Sequence, residues 1–193
     1  MLKIGITGGI ASGKTVVAKI IESMGYKVFY SDAAAKQIMR NSEKMKSELV
    51  AIFGSEVYLD GELNKPFLRS LVFNDKVNRE KINSVVHPLV RSAFVDFCDA
   101  HHSEKLIFNE SALLFETKSS AHFNSNILIT APIEVRINRI MKRDGVSQDI
   151  AEARIESQWS DEKKLNMADH VIFNNGDRPL LVQVEQTLEL LVK

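Results

Sequence analysis

GITGGIASGKT, residues 5–15, carries the pattern G-x-x-x-x-G-K-[ST], met by Gly8, Gly13, Lys14 and Thr15. Ordinary residue usage would produce it by accident in a chain of 193 residues with odds of roughly 1 in 150, so the flanks decide. Before it, LKIGIT (2–7) is a short apolar run of the kind a buried parallel strand needs. After it, Val17, Ile20, Ile21 and Met24 recur at helical spacing, and Gly25 ends the pattern. Strand, glycine-rich turn and helix are the context in which this pattern holds a phosphate. Backbone N–H groups and the positive end of the new helix converge on one anion, and glycine lets the backbone come close. The expected contacts of a nucleoside triphosphate are Gly8, Gly9, Ile10, Ala11, Ser12 and Gly13 in the loop, with Lys14, Thr15 and Val16 opening the helix. Lys14 has the reach for the outer phosphates, and the Thr15 hydroxyl is the expected ligand of Mg2+.

The whole chain sets bounds. Its length suits one α/β domain with an insertion. Hydrophobic residues at 45% and charged residues at 26% describe an ordinary globular protein. A formal net charge of zero argues against a nucleic-acid partner, since affinity for a phosphate backbone needs a basic excess. The single Cys98 excludes intrachain disulfides and cysteine-rich metal sites, and its apolar surroundings suit a small core residue. No apolar run is long enough to span a membrane, and no signal peptide is expected before the first strand. A reducing cytoplasm is the expected location.

YKVFYSD (26–32) reads as a second strand ending in Asp32. From there to about residue 104 no strand is expected, and helical patterns cover 33–40, 43–53, 66–73 and 77–101, with a turn at 59–62. KLIFNE (105–110) and NILIT (126–130) read as core strands. Pro132 opens a helix running to Arg143, Ser147 caps another over 147–158, HVIFNN (170–175) is a last strand, and 179–192 a closing helix. Five strands, each followed by helical sequence, predict a doubly wound five-stranded parallel α/β sheet with the phosphate loop after its first strand. Ligands of such sheets bind beyond the carboxyl ends of the strands, so the long helical insertion is expected at the binding edge.

Asp32 follows the second strand into that crevice, where a carboxylate can take a proton from an acceptor hydroxyl or hold Mg2+ through water; a helix N-cap is the plainer alternative. Arg136, Arg139 and Arg143 stand at spacings of three and four on one helix, and Arg154 follows on the next. Arginines closing over a triphosphate would neutralise moving charge and exclude water; pairing with Asp144, Glu152 and Glu156 on a solvated face is the alternative. His87 in VVHPLVR fits a hydrogen-bonded core group as well as a substrate contact, and Trp159 fits a buried anchor better than a cap on adenine. Glu110 ends a strand where phosphate-loop proteins often carry a magnesium-orienting carboxylate.

A GTPase switch would need D-x-x-G and N-K-x-D, but no aspartate has glycine three places on and Asn64-Lys65 continues Pro-Phe. A small-molecule kinase is the better fit, with a slowly hydrolysing nucleotide-dependent regulator as the alternative from another class. The order and spacing of seven segments then resemble the dephospho-coenzyme A kinases, within the phosphate-loop nucleoside monophosphate kinase-like proteins. The segments are ITGGIASGKT, SDAAAKQI, HPLVR, LLFE (113–116), RIMKRDG, ARIESQ and ADHVIFNNG (168–176).

That resemblance implies transfer of the ATP γ-phosphate to the ribose 3′-hydroxyl of dephospho-coenzyme A; a kinase of a nucleoside monophosphate or sugar acid is the neighbouring alternative. It implies Asp32, Lys14 and Arg139 as catalytic residues, and Arg139, Arg143, Asn175 and Gly176 as further ATP contacts. Asp32, His87, Arg91, Glu110 and Arg154 face the acceptor. It divides the chain into a core (1–32, 105–138 and 168–193), an acceptor-binding insertion (33–104) and a lid (139–167), in a monomer or weak homo-oligomer. Two positions depart from the family pattern: Ala112 stands where proline is usual, and Glu110 where aspartate is.

Overall fold

The computed structural model describes residues 1–72 and 75–192. The chain begins with β1 (Leu2–Thr7), α1 (Lys14–Ser23) and β2 (Lys27–Tyr30). It continues through α2 (Ser31–Asn41), α3 (Glu43–Phe53), β3 (Tyr58–Leu59), β4 (Glu62–Leu63), α4 (Lys65–Val72) and α5 (Lys76–Ala100). It closes with β5 (Leu106–Glu110), β6 (Ser125–Thr130), α6 (Ile133–Asp144), α7 (Gln148–Glu156), α8 (Asp161–Leu165), β7 (His170–Phe173) and α9 (Leu180–Val192). These elements form two compact units, 1–30 with 101–193 and 31–100.

The first unit holds a five-stranded sheet in the order β2-β5-β1-β6-β7, parallel throughout. β1 lies at its centre, in register from Leu2 to Ile6 against Leu106 to Glu110 of β5, and paired to β6 on its other edge. Burial on both faces explains why β5 is buried at all five positions, and why β1 and β6 read as continuous apolar runs. Ile4 and Ile6 of β1 meet Val17 and Ile21 of α1 and Val184 and Leu188 of α9 in one core. Tyr26 stacks edge-on to Phe108 at 5.6 Å. Cys98, on α5 of the second unit, is buried, as its setting in the sequence implied.

The second unit has its own core, in which Met45 and Leu49 of α3 and Ile82, Val85 and Val86 of α5 are buried. Ser42 caps α3 by accepting from the Met45 amide. Pro88 lies inside α5, where it removes one helical hydrogen bond.

The structure differs from the sequence-based expectations in three places. The second strand stops at Tyr30 and α2 starts at Ser31, so Asp32 lies in the first turn of a helix rather than at a strand end. A carboxylate there complements the helix dipole. The strand-free stretch contains a hairpin, β3–β4, formed where Asp60 and Gly61 adopt positive φ; strands of two residues leave no periodicity to read. Ser147 occupies the N-cap of α7, but its side chain makes no capping bond. The helix expected over 66–73 appears as α4, and its last residue, Phe73, lies outside the described residues. Among the described residues no helix is long and apolar enough to cross a membrane.

Candidate active site

The phosphate loop spans the gap between β1 and α1, at the carboxyl edge of the sheet. Its two signature glycines are fixed by close approach. A Cβ at Gly8 would stand 2.2 Å from the Ile129 carbonyl oxygen, and one at Gly13 2.1 Å from Asn174 Nδ2. Gly13 is also the N-cap of α1 with φ 101°, in the left-handed region that favours glycine.

Side chains from beyond β6 hold the outer side of the loop. Arg136 Nε donates to the Ile10 carbonyl at 2.9 Å, Arg139 Nη1 to the Ala11 carbonyl at 3.1 Å, and Asn174 Nδ2 to the Ser12 carbonyl at 2.8 Å. Across a trans peptide, a carbonyl and the following N–H point in opposite directions. With three successive carbonyls turned outward, the Ala11 and Gly13 amides face inward, as an anion-binding concavity requires. The Ser12 amide closes the turn on the Gly9 carbonyl at 3.1 Å. The first N–H groups of α1 add to the same field.

Lys14 begins α1, and its ammonium lies 3.9 Å from Glu110 Oε1, with both side chains largely buried. Glu110 ends β5 next to β1 and opposite Tyr30, whose hydroxyl donates to Glu22 at 2.7 Å. Burial, followed by that bond to Glu22 and the nearby Glu110 charge, pushes the Tyr30 hydroxyl well above its ordinary range. Thr15 is exposed on the first turn of α1. Among the described residues no three His, Cys, Asp or Glu side chains form a metal-binding group. The oxygen donors present, Thr15 and Glu110, suit a hard cation held by one or two protein groups and by phosphates, rather than by a protein cage.

The arginines expected at the site divide. Arg139 lies against the loop, with Nη2 also 3.3 Å from the carbonyl and side-chain oxygens of Asn174. Arg143 and Arg154 instead converge on Asp144, at 2.7 and 2.5 Å, which is the plainer of the two pairings considered from sequence. The bond from Arg143 holds the Asp144 carboxyl below its ordinary range. Asn175 and Gly176 follow β7, where Asn175 turns the chain by bonding Asp177 on both its side chain and its amide. The side chain that reaches the loop from this segment is the preceding Asn174, which the sequence reading passed over.

Asp32, His87 and Arg91 belong to the second unit. Asp32 is exposed. His87 stands one helical turn before Arg91 on α5, and burial, then the Arg91 charge, lowers its pKa from the ordinary 6.5.

Arg136, brought forward by the arginine spacing, takes a structural partner, while Gln158 and Lys164 are defined by tertiary contact and carry no recognisable sequence signal. Arg136 is buried, and its Nη1 pairs with Asp161 at 2.9 Å while Asp161 also accepts from the Thr130 hydroxyl. Gln158 Oε1 accepts the Ile10 amide at 2.7 Å. Lys164 of α8 is fully buried, and its ammonium lies 2.8 Å from Glu116 Oε1, close enough to pair charges though not aligned as a hydrogen bond. Trp159, expected as a buried anchor, is only half-buried: it lines a cavity of about 590 Å³ with Ile133, Arg136 and Phe173, and Lys163 sits 3.2 Å from its ring centroid.

This architecture has named relatives. Residues 2–179 match the family model described as Dephospho-CoA kinase. The chain is 35% identical over 190 residues to the dephospho-CoA kinase of Bacteroides fragilis, covering 98% of this chain and 93% of that one. It is 37% identical over 189 residues to the enzyme of that name from Streptococcus pneumoniae, covering 96% and 94%. The solved dephospho-CoA kinase from Campylobacter jejuni superposes with a TM-score of 0.70 at 25% identity, over 98% of this chain and 96% of that one. Agreement along nearly the whole length, in sequence and in fold, places the chain in the dephospho-CoA kinase family.

Proposed function

We propose that this protein is an ATP-dependent kinase that transfers the γ-phosphate of ATP to the ribose 3′-hydroxyl of dephospho-coenzyme A, the last step of coenzyme A synthesis. The observation that carries the reading is the family match across residues 2–179, which includes the phosphate loop and the whole second unit. In that reaction the acceptor oxygen bonds to the γ-phosphorus, the bond from that phosphorus to the bridging oxygen breaks, and ADP leaves with its electron pair. The acceptor's proton passes to the Asp32 carboxylate.

Phosphoryl transfer asks the protein for position and charge more than for covalent chemistry. The inward amides of the loop and Lys14 hold the β- and γ-phosphates. Mg2+, when bound, would neutralise phosphate charge, and the Thr15 hydroxyl would hold it, with Glu110 as the buried carboxylate beside Lys14. Arg139, Arg143 and Arg154 serve the lid, 139–167. Exposed ion pairs are weak because water screens them, so drawing Arg143 and Arg154 away from Asp144 towards phosphate costs little. Asn175 and Gly176 read the base, and Asp32, His87 and Arg91 serve the acceptor, bound by the insertion 33–104. A single buried cysteine and zero net charge support a cytoplasmic enzyme without a nucleic-acid or membrane partner.

The test is acceptor dependence. With Mg2+ and ATP, ADP release should stay at background alone and with AMP or gluconate, and rise at least about a hundredfold with dephospho-coenzyme A. Equal release in every tube would mark a nucleotide hydrolase and overturn the reading.

A further inference from the structure

Ile10 sits at the apex of the phosphate loop and is held on both of its peptide groups. Its N–H donates to Gln158 Oε1 at 2.7 Å, and its carbonyl accepts from Arg136 Nε at 2.9 Å. Neither side chain belongs to the loop or its signature; one comes from α6 and the other from the residues after α7. Arg136 is itself immobilised, being 4% exposed and paired to Asp161, which is bonded in turn to Thr130 at the end of β6. Its guanidinium also covers Gly9, where a Cβ would stand 2.2 Å from Nη2.

The next residue shows what such a hold accomplishes. Ala11 has φ 60°, the left-handed region, which a residue with a Cβ enters only at a cost. A strained residue of this kind persists where its surroundings over-determine it. Here the preceding residue is fixed at both peptide groups, and the Ala11 carbonyl is itself engaged by Arg139. With the Ile10 carbonyl held outward by Arg136, the Ala11 amide faces inward at the start of this strained turn.

We propose that Gln158 and Arg136 are positioning residues which clamp Ile10 and so hold the strained Ala11 turn in its phosphate-accepting shape, presetting the loop for the donor nucleotide. This rests on the reading of the loop as the donor site. The clamp acts through the backbone and touches no reacting atom. It also makes the loop's shape depend on the segment after α7, so that segment's displacement would release the Ile10 amide.

The test uses Gln158→Met, which keeps the length of the side chain and removes the acceptor, with and without Ala11→Gly, which removes the steric cost of positive φ. Affinity for Mg-ADP is measured by calorimetry, steady-state constants by acceptor titration, and exchange of the Ile10 amide by NMR. Losing a well-placed hydrogen bond in Gln158→Met should weaken Mg-ADP and raise KM for ATP about tenfold, leave KM for dephospho-coenzyme A within about twofold, and speed Ile10 amide exchange. With Gly at position 11 the same substitution should cost about threefold or less, because no strain remains to be held. An equal penalty in both backgrounds would overturn the clamp, as would equal rises in both KM values accompanied by a fall in Tm. Mg-ADP binding needs no acceptor, so a failure of the kinase assignment would leave this result standing, and an intact kinase with no binding penalty would sink the clamp alone.

Discussion

Gly8 and Gly9 are neighbours in the sequence, yet what stands beside each differs in kind. The obstacle to a Cβ at Gly8 is the Ile129 carbonyl, part of a central strand's backbone. At Gly9 it is the guanidinium of Arg136, a side chain that substitution can remove. Gly8→Ala should therefore cost about 3 kcal/mol in urea denaturation, the upper end of ordinary overpacking, with or without Arg136. Gly9→Ala should be costly alone but nearly silent in an Arg136→Ala background, a non-additivity that a double-mutant cycle reads directly. Simple additivity at Gly9 would mean that Arg136 is not what requires the glycine. Asp32 raises a separate question, because the first turn of α2 suits an aspartate for helix stability as well as for chemistry. Asp32→Asn should lower kcat by about a hundredfold to ten-thousandfold, the range of a lost general base, with the Kd for ATP unchanged. A kcat within a few-fold of the parent would leave Asp32 as a helix residue only.

Among the elements, those with long apolar patterns were legible and those made by single contacts were not. β1, β5 and β6 announced themselves as continuous hydrophobic runs because both faces of a parallel sheet are covered. α3 was legible to its last residue, Phe53, because Ser42 and Gly54 bracket a regular apolar face. The β3–β4 hairpin was invisible because two residues cannot display a period, and α8 because five residues cannot display an apolar face. In the site, Lys14, Thr15 and the glycines could be read from spacing, since one continuous segment carries them. Gln158 and Asn174 could not, since only the fold brings them to the loop from positions more than 120 residues away, and the spacing that singled out Arg136 could not show that it holds the Ile10 carbonyl. α5 carries a pH dependence of its own. The His87 pKa is lowered in the folded chain, so neutral His87 contributes stability that is present above pH 6.5 and lost as the pH falls through the lowered value. Comparing Tm for the parent and His87→Gln across pH 7.5 to about 5, the parent should lose more on acidification, by up to a few degrees. Parallel curves would mean that His87 meets the same environment folded and unfolded.

At the scale of the molecule, the chain has two units with separate cores, and the proposed reaction has two substrates. The unit built on the sheet carries the phosphate loop and every group seen to hold it. The helical unit, 31–100, carries Asp32, His87 and Arg91. Substrate specificity is proposed for the second unit, because phosphate loops of this form are shared by many kinases and the family match extends through it. The charge balance agrees: with 25 basic and 25 acidic residues there is no excess to gather polyanions, so recognition falls to placed groups. The most direct measurement is the identity of the product. Protein, Mg2+, ATP and dephospho-coenzyme A are incubated together, and the product is resolved by mass spectrometry with phosphorus NMR to locate the new ester. The expected result is coenzyme A, with the added phosphate on the ribose 3′-oxygen and one ADP formed for each. Phosphate on another oxygen, or ADP and free phosphate with the acceptor untouched, would contradict the account.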